Sequence, residues 1–141
     1  MKTKQILGLV LILGLTAIAT AQVKPTPSPK GAEVYFIAPK DGETLTSPVT
    51  VRFGLKGMGI APAGIAFENS GHHHLIIDAP PPAAGVPIPA DANHVHFGKG
   101  QTEASVELKP GKHTLQLALG DQLHIPHDPP VFSKPITVTV K

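Results

Sequence analysis

The alternation of apolar and polar residues constrains the fold of this chain more than any other feature. Val49, Val51, Phe53 and Leu55 are separated by Thr, Arg and Gly, and the same period of two recurs at intervals along the chain. Successive side chains point to opposite faces of a strand, so this spacing predicts strands with one buried face. No stretch has a convincing helical period. Seven strands are predicted, at residues 34–37, 49–55, 72–78, 93–97, 101–108, 113–119 and 136–140.

Turn and loop signals separate these strands. Pro39 to Gly42, Pro110-Gly111 and the proline-rich segment 79–90 are typical of turns and loops. Seven short strands without a helix predict an all-β fold, an antiparallel immunoglobulin-like β-sandwich of about seven strands. The chain has no cysteine, so packing rather than disulfides must hold the sandwich together.

The N-terminus has the pattern of a cleavable signal peptide. Lys2 and Lys4 precede an apolar run from Ile6 to Ile18, and Ala19-Thr20-Ala21 supplies the small residues of a cleavage site. The run is shorter than the ~20 residues that a transmembrane helix needs. Residues 1–21 are therefore predicted to be removed, which leaves no membrane span and a periplasmic or secreted protein. A Pro-rich linker is predicted at 22–32 and the β-sandwich domain at 33–141.

Charge and composition exclude several classes of function. The chain has 12 Lys and Arg against 10 Asp and Glu, and the predicted cleavage removes two lysines, which leaves 10 against 10. A neutral chain without a basic stripe does not indicate nucleic-acid binding. Without cysteine there is no thiolate ligand or nucleophile, which excludes blue-copper ligation.

The histidines carry the strongest functional signal. All eight lie between residues 72 and 127, and imidazole is the commonest metal ligand. Two His-x-His pairs fall on predicted strands, where residues two apart share a face. Two more histidines lie in the loop between the last two strands, which a sandwich places near the start of the strand at 72–78. The predicted metal ligands are His72, His74, His94, His96, His124 and His127.

The remaining details of this site are also open to prediction. His113 lies at the opposite end of its strand from that loop, and we interpret it as a buried, hydrogen-bonded histidine at the edge of the core. Gln101 and Glu103 are candidate partners for the ring N–H groups of ligand histidines. With imidazole and carboxylate available, copper is the first candidate ion and zinc the second.

Several motifs resemble a known family. Gly71-His-His-His-Leu-Ile-Ile-Asp78, Asn93-His-Val-His-Phe-Gly98 and His127-Asp-Pro-Pro130, in this order, are similar to the bacterial domain of unknown function 4399 family. This resemblance covers about residues 34–140 and implies a small exported bacterial domain without an established activity. The segment His94 to Gly98 alone is also similar to the His-x-His motif of copper/zinc superoxide dismutases, although the disulfide of those enzymes is absent.

Two functions from different classes follow. The first is an exported His-rich domain that binds a transition metal, copper or zinc, for binding, delivery or buffering. The second is a non-catalytic structural or interaction domain of the cell envelope, whose histidines form hydrogen bonds and whose long loops contact another envelope protein. No nucleophile elbow, phosphate loop or His-Glu-x-x-His helix is present, so the sequence does not favour an enzyme.

Overall fold

A computed structural model describes residues 23–141 of the chain, all of them without helix. The predicted signal peptide lies outside the described residues. The described part is an all-β sandwich, which confirms the predicted fold class. None of its elements is a helix long and apolar enough to cross a membrane.

Nine strands are present in the described residues, and seven of them correspond to the predicted strands. In chain order they are β1 Glu33–Ala38, β2 Thr44–Leu45, β3 Val49–Lys56, β4 Gly59–Ile60, β5 Ser70–Ile77, β6 His94–His96, β7 Glu103–Val106, β8 Gly111–Gly120 and β9 Ile136–Val140. The two additional strands, β2 and β4, have two residues each, too few for an alternating pattern to reveal them.

The strands form two sheets. The smaller sheet has the order β1-β3-β7, and the larger has the order β2-β9-β8-β5-β4 with β6 also paired to β5. The pairs formed by the seven longer strands are antiparallel, whereas β2 pairs with β9 and β4 with β5 in parallel. The immunoglobulin-like type of the sandwich stays a prediction, and strand β6 lies beside β5 rather than beside β7.

The main core lies between the two sheets. Val51 and Phe53 of the smaller sheet pack in one cluster with Leu75 of β5 and Leu117 of β8, and all four side chains are at most 3 % exposed. Burying such side chains stabilises the fold by about 1.5–3 kcal/mol each. The alternating residues of the sequence pattern therefore form the inner faces of the two sheets.

The outer face of the larger sheet is also covered, and this decides where the histidines lie. Ile76 and Ala118 form a second apolar cluster there with Ile88 of the loop that follows β5, and Phe132 packs against it. All eight residues of β5 are consequently buried, the predicted core face and the opposite face alike. The loop after β5 and the loop between β8 and β9 thus cover the outer side of β5 and shield it from solvent.

Candidate metal centre

Two histidines of β5 lie on this covered outer side of the strand. His72 and His74 share the outer face of the strand with Ile76, and both side chains are at most 1 % exposed. Since they are two residues apart in an extended strand, their rings extend in the same direction. The predicted convergence of these two rings is present: the two Nε2 atoms lie 3.0 Å apart.

Strand β6 brings a third ring to the same face. His96 is paired with His74 across the two strands, and residues directly opposite each other in an antiparallel pair project to the same side of the sheet. One ring nitrogen from each of His72, His74 and His96 lies within 4.8 Å of the others, a spacing that allows the three to hold one metal ion. His96 is exposed to solvent, whereas the other two rings are buried.

The fourth ring comes from the loop after β8. His124 has a left-handed backbone with φ of 66°, and its N–H donates to the carbonyl oxygen of Asp121 at 2.9 Å. The Asp121 carboxylate accepts N–H groups of Leu123 and Ile125 at 2.9 and 3.0 Å, and its other oxygen accepts the Thr26 hydroxyl at 2.7 Å. Asp121 thus holds the loop in the conformation that turns His124 toward β5.

Together these rings form a four-histidine cluster, defined by His72, His74, His96 and His124. All six pairs of ring centroids are in contact. The centroid separations are 4.8 Å for His72–His74, 5.0 Å for His72–His96, 5.0 Å for His72–His124, 5.1 Å for His74–His96, 5.9 Å for His74–His124 and 4.7 Å for His96–His124. The ring of His124 thus contacts the three rings whose nitrogens lie within 4.8 Å of one another, and the longest separation in the cluster joins His74 to His124.

The buried nitrogens of this cluster lack other partners. The Nδ1 atoms of His72 and His74 are buried and have no hydrogen-bond partner among the described residues. Their Nε2 atoms face each other, so one neutral ring can donate its N–H to the other. The Nδ1 lone pair of the donor ring and the Nδ1 N–H of the acceptor ring then have no partner among the described residues. Buried polar groups are normally hydrogen-bonded, and leaving one unsatisfied costs about 1–3 kcal/mol. Stability alone therefore does not account for this cluster.

Glycines make room for the rings. A Cβ on Gly98 would lie 2.3 Å from Cε1 of His96, and a Cβ on Gly120 would lie 2.9 Å from Nε2 of His74. Real Cβ atoms do not approach other heavy atoms this closely. The absence of a side chain at both positions is therefore a condition for the observed ring positions.

Burial and mutual repulsion keep three rings of the cluster uncharged, those of His72, His74 and His96. Desolvation, then the neighbouring His124 and His96, lower the pKa of His72 to about 4. Desolvation and the neighbouring rings lower the pKa of His74 to about 2, and the pKa of His96 is lowered as well, chiefly by desolvation. Neutral imidazole is the form that binds a metal ion, so these three rings are in the ligating form at neutral pH.

The cluster opens on one side into a small pocket. The pocket has a volume of about 220 Å³ and is lined by His74, His96, His124 and the four residues from Pro87 to Ala90. It lies where the loop that follows β5 meets the loop that follows β8. Solvent can therefore reach the cluster from this side.

The other two predicted ligands lie outside the four-histidine cluster. The ring of His94 donates through Nδ1 to the Asp91 carboxylate at 2.7 Å. The ring of His127 lies between carbonyl oxygens, with Nε2 3.1 Å from that of Ser70 and Nδ1 3.4 Å from that of Leu119. A ring N–H of His127 has an acceptor in either neutral form. The structure thus brings together four of the six predicted ligand residues.

The predicted partners of the ligand rings also lie elsewhere. Gln101 accepts the Lys99 backbone N–H through its side-chain oxygen, and Glu103 lies 3.6 Å from Arg52 on the neighbouring strand. Neither bonds a ring of the cluster, because β7 belongs to the smaller sheet. That part of the prediction is wrong for a topological reason: the strand after β6 crosses to the other layer.

His113 has the hydrogen bonds predicted for a structural histidine, although its ring is only partly buried, because it lies at the start of β8 near the sheet end. Its Nδ1 lies 2.7 Å from Oδ2 of Asp78, and its Nε2 lies 2.8 Å from the Lys109 carbonyl oxygen. The bond to Asp78, then that to Lys109, raises the pKa of His113, and the same bond lowers the pKa of Asp78. Both ring nitrogens are thus satisfied by protein oxygens.

Sequence reasoning missed the environment of His73. This ring lies on the inner face of β5, 1 % exposed, with its centroid 4.9 Å from that of Phe53. Neither of its ring nitrogens has a partner among the described residues, and desolvation lowers its pKa to about 4. The strand period already placed His73 opposite His72 and His74, and the apolar residues of the same parity were the available signal.

Comparison with known proteins places the chain in a family. The family model described as a domain of unknown function (DUF4399) matches residues 51–141, and the chain belongs to this family. No curated protein and no solved structure matches the chain. The predicted family is thus confirmed, whereas the local similarity to copper/zinc superoxide dismutases is not supported by any of these comparisons.

Proposed function

We propose that this protein binds one transition-metal ion through the four-histidine cluster. Its function would be to bind, deliver or buffer the metal. The observation that carries the proposal is the convergence of four imidazole rings, two of which, His72 and His74, have buried Nδ1 atoms without a hydrogen-bond partner among the described residues. His72, His74 and His96 are the first three ligands, because their nitrogens already lie within 4.8 Å. His124 is the fourth.

We propose zinc ahead of copper on the basis of the spacing of the rings. Imidazole binds Zn²⁺ at about 2.0–2.1 Å, so two ligand nitrogens of a tetrahedral site lie about 3.3 Å apart and their ring centres about 5.2 Å. The observed Nε2 separation is 3.0 Å, and five of the six ring separations fall between 4.7 and 5.1 Å. A square arrangement, which Cu²⁺ prefers, would give two much longer distances. This reverses the order that the donor types alone favour.

The competing function, a structural or interaction domain with hydrogen-bonded histidines, has support at other positions. His94, His113 and His127 each have oxygen partners from the protein. These three rings act as structural groups, and the same explanation fails for the cluster. We therefore assign the structural role to these three residues and the metal to the other four.

We also propose that the protein works outside the cytoplasm, in the periplasm or as a secreted protein. The support is the N-terminal pattern of two lysines, an apolar run and Ala19-Thr20-Ala21. The mass of the protein recovered from its cellular compartment tests this directly. A mature chain that begins at Gln22 is expected, and an intact residue 1–21 segment on a cytoplasmic protein would contradict it.

The metal proposal is tested by a matched pair of variants on one strand. His96→Ala removes a ring of the cluster, whereas His94→Ala removes a ring that bonds Asp91. The purified proteins are dialysed against Zn²⁺ or Cu²⁺ and the retained metal is measured. About one equivalent is expected for the parent protein and for His94→Ala, with binding at least tenfold weaker for His96→Ala. Less than about 0.1 equivalent of either metal in the parent protein would refute the proposal.

A further inference from the structure

The pocket beside the cluster is the feature that extends the proposed function. Its polar lining comes from the side chains of His74, His96 and His124, and the rest of its wall is Pro87, Ile88, Pro89 and Ala90. Among residues 23–141, none that lines this pocket has a carboxylate, hydroxyl or amide side chain. The protein therefore offers no further side-chain ligand, beyond its imidazoles, to an ion on this side of the cluster.

The cluster is widest where it meets this pocket. The rings of His74 and His124 are 5.9 Å apart, compared with 4.7–5.1 Å for the other pairs. Both rings also line the pocket. An ion bound by these four residues would consequently have its most open edge toward the pocket, and zinc sites can expand from four to five ligands.

The wall of the pocket is held in place by contacts within the protein. The Ile88 N–H donates to the His124 carbonyl oxygen at 2.8 Å, which ties the proline-rich loop to the loop that carries a ligand. Ile88 itself is 5 % exposed and packs in one cluster with Ile76 and Ala118. The apolar wall is therefore fixed relative to the rings.

From these observations, and resting on the proposed metal function, we infer that the bound ion keeps an exchangeable coordination position facing the pocket. This position takes a small ligand that has a single donor atom and an apolar body. The donor atom satisfies the ion, and the body covers the Pro87–Ala90 wall in place of water. The volume of about 220 Å³ is below the usual 300–1,000 Å³ of sites for drug-sized ligands, so a single aromatic ring is a suitable size.

Cobalt substitution makes this position visible. Co²⁺ replaces Zn²⁺ in the protein, and its visible absorption changes when the number or type of its ligands changes. The Co²⁺ protein is titrated with pyridine, which is neutral and has an apolar body, and separately with azide, a small anion without one. A saturable spectral change with pyridine is expected, at a concentration at least tenfold below that needed for azide, with the cobalt content unchanged at the end.

Two variants that replace an alanine of the same loop by leucine provide a matched comparison. Ala90→Leu fills the pocket without altering any histidine, and Ala83→Leu adds the same side chain at an exposed position outside the pocket lining. Ala90→Leu is expected to weaken pyridine binding at least tenfold, and Ala83→Leu to leave it unchanged.

The outcomes separate this inference from the function on which it rests. Cobalt retained without a spectral response to saturating pyridine would show a closed site and overturn the inference alone. An azide response as strong as that of pyridine would overturn the ligand class. Failure to retain Co²⁺, Zn²⁺ or Cu²⁺ would overturn the proposed function and the inference with it.

Discussion

The two ends of the paired strands β5 and β8 use histidine in opposite ways. At one end, beyond Ile77, the ring of His113 lies between the Asp78 carboxylate and the Lys109 carbonyl. At the other end, beside Gly120, the rings of His72 and His74 lie against each other and against two more rings. The first end satisfies both ring nitrogens with oxygen acceptors, and the second end leaves the buried Nδ1 atoms of His72 and His74 without one among the described residues.

This difference separates a structural histidine from a candidate ligand better than burial does. An imidazole beside a carboxylate gains its free energy from a proton, since an oxygen acceptor favours the N–H and its positive charge. Imidazoles that face each other disfavour protonation, because a charged ring would lie beside other rings instead of beside a carboxylate. Their nitrogen lone pairs can instead bind one metal ion together. The same residue type therefore indicates two roles, according to what its nitrogens face.

The largest expected effect concerns the cluster end, where zinc should raise the free energy of unfolding. A ligand that binds only the folded state at 1,000 times its Kd stabilises it by about 4.1 kcal/mol. We expect thermal unfolding of the parent protein to shift upward with Zn²⁺ and to return to its starting value with a chelator. His96→Ala should lose most of this shift. An unchanged unfolding temperature at saturating zinc would place the cluster in the same structural class as His113.

The second effect tests the cluster without removing a ligand. Gly98→Ala places a Cβ where the exposed His96 ring now lies, 2.3 Å from Cε1, so the ring must leave the cluster. Zinc affinity, measured by competition with a coloured chelator, is expected to fall about 10- to 100-fold, the range seen when the support of a ligand is removed.

Gly59→Ala is the matched control for that variant. A Cβ at Gly59 would have its nearest neighbour, the Ser70 Cβ, at 4.0 Å, an ordinary contact. Both variants should unfold within about 1 kcal/mol of the parent protein when metal-free, since an alanine fits the backbone at each position. Equal zinc affinity for the two would mean that the His96 ring does not take part.

The sequence predicts a large part of this arrangement. The period of two places Leu75 and Ile77 inside and His72 and His74 outside, and the sandwich topology brings the loop of His124 to the same end. These inferences depend only on local alternation and on the connection of neighbouring strands. They are the reason why four of the six predicted ligand residues lie together.

The remaining assignments depend on contacts that a single sequence does not display. His94 and His96 have the same strand parity, yet the Asp91 carboxylate lies beside only His94. His127 is three residues from His124, and its ring lies between the carbonyl oxygens of Ser70 and Leu119. The predicted linker likewise contributes the Thr26 hydroxyl to Asp121. The contacts of His127 with Ser70 and of Thr26 with Asp121 join segments that are distant in the sequence, and only the folded loops bring them together.

The third effect compares the two faces of β5 directly. His73 lies in the main core with two nitrogens that have no hydrogen-bond partner in residues 23–141, whereas its neighbours His72 and His74 lie in the cluster. His73→Leu replaces these nitrogens by apolar atoms against Phe53 and should raise the free energy of unfolding in urea by about 1–2 kcal/mol. Zinc binding should be retained, because the ring faces away from the cluster. A destabilised protein would indicate that the imidazole of His73 has a role in the core.

The smallest effect belongs to the opposite end and depends on pH. The raised pKa of His113 means that its charge stabilises the fold fully below the unfolded value of about 6.5, and that this contribution is lost as the pH rises through the folded pKa. The lowered pKa of Asp78 means that its contribution is present above the ordinary pKa of 3.8 and is lost as the pH falls through the folded pKa.

The pair should therefore stabilise the protein most between about pH 4 and 6.5. The Asp78 side chain is 41 % exposed, so solvent screening limits the contribution of the charges to about 0.5–1 kcal/mol. The difference in unfolding free energy between parent and His113→Gln, measured at pH 5.5 and pH 8.5 without metal, isolates this pair because the other histidines are common to both proteins. The difference should be larger at pH 5.5. A difference that grows toward pH 8.5 would mean that the carboxylate does not hold the proton on His113, and the contrast between the two ends would lose its electrostatic basis.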